Sequence, residues 1–263
     1  LSLSTFESGT RAEESTRRAH EATRDKETNP FIHLYEKVLV PDEDWQNYDV
    51  VGISIIGISQ IIPGLTLARL LKEKFPHLHI TLGGPIFSVN SGQLLGHPEF
   101  FDDFCHSIVT FEGEEPLHRL LSALKAGDAL STVPNLLHLD GREVVQNKER
   151  VELRFEELPG PTFDGLPMHD YLSPYPIIPV LQSRGCYWGK CTFCTHSFVY
   201  GHRYGKQKTH GMVDELEALM KKYNTKYFTF SDEAVSPHSL NDVSELMIER
   251  GVEIRSLALL KFE

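Results

Sequence analysis

Two periodicities alternate along this chain of 263 residues. Short runs of β-branched and aliphatic residues are followed by stretches in which apolar positions recur every three or four residues, the spacing of one helix face. The first run is 50–55, Val-Val-Gly-Ile-Ser-Ile, which reads as a buried parallel strand. After the turn Gly57-Ile58-Ser59-Gln60, a predicted helix aligns Leu65, Ala68, Leu71 and Phe75, with Pro63 in its first turn. Residues 78–82 predict a second strand, closed by Gly83-Gly84-Pro85, with a short helix near 91–95. Residues 107–111 predict a third strand, which ends in Glu112-Gly113-Glu114 and runs into a helix over 116–124. This alternation implies parallel βαβ units, so residues 40–132 read as an α/β, Rossmann-like, doubly wound domain.

Residues 133–179 break the rhythm. Asp140-Gly141 between two apolar runs predicts a hairpin over 135–148. Six prolines between 158 and 179 (Pro159, Pro161, Pro167, Pro174, Pro176 and Pro179) predict a linker. The alternation then restarts. Strands are predicted at 177–182, 227–230 and 254–260. Helices are predicted at 212–223, where Met212, Leu216, Leu219 and Tyr223 share a face, and at 240–250, stopped by Gly251. Residues 180–263 therefore read as the start of a partial (β/α) TIM-like barrel. Residues 1–39 form a polar N-terminal segment. Its first thirty residues have no steady apolar period and predict a marginal helix or disorder, and a short helix over 31–38 follows the breaker pair Asn29-Pro30.

Composition places the chain among soluble globular proteins, with 40% hydrophobic and 24% charged residues. The 26 basic and 37 acidic residues give a net charge of −11, which argues against a nucleic-acid partner. No apolar run approaches the ~20 residues of a membrane span, and the start lacks a signal-peptide pattern. The expectation is a cytoplasmic protein without a membrane partner. The chain opens at Leu1 rather than Met and stops just after the apolar run 257–260, as expected of an excerpt from a longer chain.

Three of the four cysteines, Cys186, Cys191 and Cys194, lie within nine residues, and the fourth, Cys105, is read as a half-buried hydrophobe. In a reducing compartment such clustering favours metal over disulfides. Three thiolates on a short loop suit three corners of an iron–sulfur cube, leaving one iron open. Structural zinc would need a fourth ligand, for which His196 is near in sequence but only two residues from Cys194. A redox-active thiol pair and chance clustering are the remaining readings. Three strand ends carry polar or glycine-rich loops, Ser54 to Gln60, Gly83-Gly84-Pro85 and Glu112-Gly113-Glu114, and strand ends of this kind bind ligands in open parallel sheets. No G-x-G-x-x-G follows the first strand, which argues against a dinucleotide.

The run Ser183-Arg184-Gly185-Cys186-Tyr187-Trp188-Gly189-Lys190-Cys191-Thr192-Phe193-Cys194 resembles the cluster loop of radical S-adenosylmethionine enzymes. Their usual spacing is C-x3-C-x2-C, whereas this chain has C-x4-C-x2-C. In that longer form it is similar to cobalamin-binding radical S-adenosylmethionine proteins, some of them tied to peptide natural products, and the similarity covers about residues 40–263. The resemblance implies a [4Fe–4S] cluster on Cys186, Cys191 and Cys194. It implies reductive cleavage of S-adenosylmethionine to a 5′-deoxyadenosyl radical, for cobalamin-dependent methyl transfer or related radical chemistry on a small-molecule or peptide substrate. An electron donor such as flavodoxin or ferredoxin would be the partner. By the same resemblance Phe193 shields the cluster, and Ser231, Asp232 and Glu233 recognise the methionine ammonium. Cobalamin would lie over the loops carrying Ser54, Gln60, Gly83, Gly84, Gly113 and Glu114. The missing D-x-H-x-x-G motif implies cobalt without a histidine ligand. The alternatives are a silent cobalamin-binding module or a zinc-stabilised interaction module. The 263-residue piece alone is expected to be barely active, because the family's later strands supply much of the substrate wall.

Overall fold

A computed structural model of the protein describes residues 15–152, 154–200 and 203–261, so the expectation for residues 1–14 lies outside the described residues. The polar N-terminal segment contains a first helix, α1 (Thr16–Ala22), and a second, α2 (Pro30–Leu34), which runs on as one π-helical turn over Tyr35–Leu39. Asn29 caps α2: its side-chain oxygen accepts from the Phe31 N–H at 3.1 Å, while Nδ2 donates to Ala22 O and Thr66 Oγ1. Pro30 sits where a helix tolerates proline, because the missing N–H has no partner to lose.

The first apolar run forms β1 (Val50–Ser54), followed by α3 (Ile61–Lys74) and β2 (His79–Gly83). Two helices follow, α4 (Pro85–Leu94) and α5 (Pro98–Phe104), and then β3 (Ser107–Val109) and α6 (Glu114–Ala126). The hairpin is β4 (Leu136–Asp140) and β5 (Glu143–Gln146). β1, β2 and β3 are parallel, and β4 and β5 are added antiparallel in the order β1-β2-β3-β4-β5. The hairpin thus belongs to this sheet and not to the linker. The order is sequential, so the reversal that defines a doubly wound sheet is not found among the described strands.

Burial explains the layers. Leu65, Ala68 and Leu71 of α3 and Phe100, Phe101 and Phe104 of α5 share one core with Ile80, Leu82 and Ile108 of the strands. Leu120 and Ala123 of α6 form another with Val109 and Leu136. Phe101 and Phe104 are fully buried, each stabilising by about 2–3 kcal/mol through area alone.

A second compact unit begins after Glu152. The Pro-rich stretch leads to β6 (Ile177–Val180) and a two-residue strand β7 (Ser183–Arg184), then α7 (His196–Val199) and β8 (Gly205–Lys206). Next come α8 (Thr209–Tyr223), β9 (Tyr227–Phe230), α9 (Pro237–Arg250) and β10 (Arg255–Leu257). β6, β9 and β10 form a parallel sheet in chain order, with α8 and α9 as crossovers. Ile178 and Val180 alternate inward to meet Met212, Val213 and Leu216 of α8 and Phe228 and Phe230 of β9. The predicted last strand, 254–260, shrinks to three exposed residues.

Candidate functional site

Two sets of predicted residues are placed by the fold, one in each unit. In the second unit the chain leaves β6 at its carboxyl end and enters β7, which pairs antiparallel with β8: Ser183 faces Lys206 and Arg184 faces Gly205. This ribbon closes residues 185–204 into one loop carrying all three clustered cysteines. Gly185 stands at its mouth with φ +85, and a Cβ there would lie 2.2 Å from the Arg203 carbonyl oxygen. Only glycine lets the two strands of the loop base approach so closely.

Asp232, just past β9, holds this base. Its carboxylate accepts from the Gln182 N–H at 3.1 Å, from the Ser183 N–H at 2.6 Å, and from the Ser183 hydroxyl. The side chain is buried, and burial pushes its carboxyl above the ordinary carboxylate range while the Ser183 and Gln182 donors pull it back down. Both oxygens are therefore engaged by the start of the cysteine loop. Asp232 fixes where that loop leaves the sheet, a role different from the ammonium recognition implied by the resemblance. Its neighbours differ: Ser231 is exposed, and Glu233 is half-buried with His196 Nδ1 at 3.7 Å. His196, the candidate fourth zinc ligand, faces that carboxylate.

All four cysteines are free thiols. Cys191 is exposed and Cys186 and Cys194 are half-buried, with a turn bringing the Cys194 N–H to the Cys191 carbonyl at 3.2 Å. The three share a loop without being drawn together, since among the described residues no three His, Cys, Asp or Glu side chains are placed to hold a metal ion. Phe193 lies between two of them and is 89% exposed. Cys105 differs: it is buried in the core of the first unit, and that burial pushes its thiol far above the ordinary range. A free, accessible thiol set on one glycine-flexed loop fits a cluster in donor chemistry.

Sequence reading missed a cavity of ≈330 Å³ in this unit, where Arg184, Gln207 and Glu215 meet Phe155, Pro161 and Leu181. Glu215 Oε2 accepts from Gln207 at 3.1 Å, whereas Oε1 is buried without a partner. Burial raises its carboxyl. Nothing in the spacing of Glu215 on α8 distinguishes it from a solvated helix residue.

In the first unit the carboxyl ends of β1, β2 and β3 line one cavity of ≈510 Å³. The register that pairs Ser54 with Gly83 aligns these ends. Five of the six predicted residues line it: Ser54, Gly83, Gly84, Gly113 and Glu114. Gln60 does not. Its side-chain oxygen accepts from the Ile56 N–H at 2.8 Å and the Gly57 N–H at 3.3 Å, and so shapes the loop after β1. Gly84 has φ +113, and a Cβ there would meet the Ile55 carbonyl oxygen at 2.2 Å. Gly113 has an ordinary φ of −102 and nothing closer than 3.8 Å to an added Cβ. Thr81 and Phe111 also line the cavity and were not foreseen. Phe111, two residues past β3, stands at φ +62, with its N–H donating to Ser88 Oγ at 2.6 Å. The apolar, glycine-rich wall fits an extended cofactor.

No protein-family model matches the chain. Over 210 residues it is 26% identical to an uncharacterized methyltransferase, PH0819, of Pyrococcus horikoshii, a match covering 78% of this chain and 44% of the relative. The radical S-adenosylmethionine methyltransferase TsrM of Kitasatospora setae, solved with cobalamin and a [4Fe–4S] cluster, superimposes with a TM-score of 0.59 at 17% identity, over 88% of this chain and 48% of that one. The cobalamin-dependent S-adenosylmethionine radical enzyme OxsB, solved with aqua-cobalamin, gives 0.63 at 21% identity, over 86% and 32%. The chain thus spans less than half the length of each, and it shares the fold of cobalamin-dependent radical S-adenosylmethionine enzymes, as the cysteine loop led one to expect.

Proposed function

We propose that this chain carries the cobalamin cradle and the cluster end of a partial barrel in a radical S-adenosylmethionine enzyme. Its reductive cleavage of S-adenosylmethionine would serve methyl transfer or related radical chemistry on a small-molecule or peptide substrate. The observation that carries the proposal is the ribbon-closed loop with its three free thiols, issuing from the carboxyl end of a parallel strand and pinned there by Asp232. Held by the thiolates of Cys186, Cys191 and Cys194, a [4Fe–4S] cluster would supply one-electron reduction of S-adenosylmethionine, and cobalamin would supply a carrier for the methyl group.

The chain's own residues position these groups. Cys186, Cys191 and Cys194 are the ligands, and Asp232 fixes the loop base. With Asp232 engaged, Ser231 and Glu233 are the polar groups left at that strand end to accept the methionine ammonium. In the first unit Gly83, Gly113, Ser54 and Glu114 line the cradle and Gln60 sets the loop beside it. A low-potential flavodoxin or ferredoxin would be the electron donor. The test is anaerobic turnover of the full-length, reconstituted protein with S-adenosylmethionine and a low-potential reductant. Consumption of S-adenosylmethionine should require the reductant and vanish in Cys191→Ala. Equal consumption by that variant, or none in a protein loaded with iron, overturns the proposal.

A further inference from the structure

A phenylalanine stands in the first unit where the backbone calls for glycine. Phe111 has φ +62, a left-handed conformation that crowds any side chain with a Cβ. Among the described residues the other non-glycines so placed are two asparagines, Asn135 and Asn224. Gly113, two residues on, has φ −102 and makes no use of glycine's freedom. The turn is held on both flanks. Thr110 donates its N–H and its hydroxyl to the Asn135 carbonyl, each at 2.9 Å. The Phe111 N–H donates to Ser88 Oγ at 2.6 Å, and the Glu112 carbonyl accepts from Asn135 Nδ2 at 3.4 Å. Asn135 also exchanges two hydrogen bonds with Val151, next to Arg150. The Arg150 guanidinium carbon lies over the Phe111 ring, 3.8 Å from its centre, and Arg150 Nε donates to Glu152 at 2.9 Å.

We propose that Phe111 is the specificity-determining wall of the first unit's cavity, the ring on which cobalamin packs, an assignment that rests on the cradle reading above. Strain persists where its surroundings over-determine it, and it gathers at ligand-binding positions. Phe111 is the one aromatic side chain lining the ≈510 Å³ cavity among the described residues. The rest of that wall is glycine, small and aliphatic side chains, and Glu114. An aromatic ring offers a large, rigid contact surface with few torsions to order. Arg150 on one face restricts this ring further. A glycine at this position would ease the backbone and remove the ring from the wall. Backbone ease and ligand affinity are therefore opposed at Phe111, which a phenylalanine kept for packing alone would not show.

Three variants of the full-length protein separate the ring from the backbone. Phe111→Ala and Phe111→Gly should each bind hydroxocobalamin at least about tenfold more weakly than wild type in an absorbance titration, as loss of a phenyl contact implies. Phe111→Tyr, which keeps the ring, should stay within about threefold of wild type. Without cobalamin, Phe111→Gly should melt about 3 °C or more above Phe111→Ala, the reverse of their order at an ordinary φ. Wild-type affinity in Phe111→Gly would overturn the role of the ring. A glycine variant that melts at or below the alanine variant would overturn the strain on which the assignment stands. A wild-type protein that leaves hydroxocobalamin unbound overturns the cradle reading and this inference together.

Discussion

The two units present their candidate sites in different states of completion. In the first, backbone makes the site: three strand ends in register, a glycine held at φ +113, and the Gln60 side chain fixing a loop bring five predicted residues around one cavity. In the second, the fold builds the base, through Asp232 and the β7–β8 ribbon, but leaves three cysteine side chains apart on a loop. A cradle of backbone forms with the sheet, whereas a set of side-chain ligands closes as it binds its metal.

Gly84→Ala should break the preformed site most severely. The new Cβ has nowhere to go but the Ile55 carbonyl, at a φ unsuited to alanine, so a loss of about 4 kcal/mol from the first unit is expected, measured by chemical unfolding. Loss below about 1 kcal/mol would show that the strand end is pliable. Asp232→Ala should cost the second unit about 3 kcal/mol, by leaving the Gln182 and Ser183 donors buried without an acceptor, and should lower iron uptake. Unchanged uptake would mean that the loop base does not matter to the ligands.

Gly113→Leu sharpens the comparison because it fills the cavity without strain. Stability should shift by no more than about 1 kcal/mol while cobalamin affinity falls at least about tenfold, read by absorbance titration. Retained affinity would place cobalamin elsewhere. The response to acid tests the first unit without any substitution. Burial holds His79 and His106 in the first unit at about 4, below their ordinary 6.5, each beside the other and Lys72. Between those values the unfolded chain binds protons that the folded unit refuses, so stability should fall as pH drops from about 6.5 towards 4 and level off above that window. A melting temperature flat over this range would contradict the buried pair.

Much of the scaffold was legible because burial writes a period into the chain. The strand at 227–230 matches β9, and the runs at 50–55 and 78–82 fall within a residue or so of β1 and β2. What escaped has no period. β7 and β8 are two residues each, and α5 packs three phenylalanines into seven residues behind Pro98. α4 begins at Pro85, well before the helix expected near 91–95, because the proline opens it in a mixed-polarity stretch. The strand-end glycines were readable because a parallel sheet puts ligands there. The engagement of Asp232 and Gln60 by backbone amides was not, since a carboxylate or amide in a loop has the same sequence whether it faces a ligand or the chain itself.

The central claim is that three particular thiols hold a [4Fe–4S] cluster, and an iron count tests it most directly. After anaerobic reconstitution of full-length protein, about four irons per chain are predicted for the wild type and for Cys105→Ala, whose thiol is buried in the core of the first unit. Replacing Cys186, Cys191 and Cys194 together by alanine should leave almost none. Iron retained at the wild-type level in that triple variant would contradict the account.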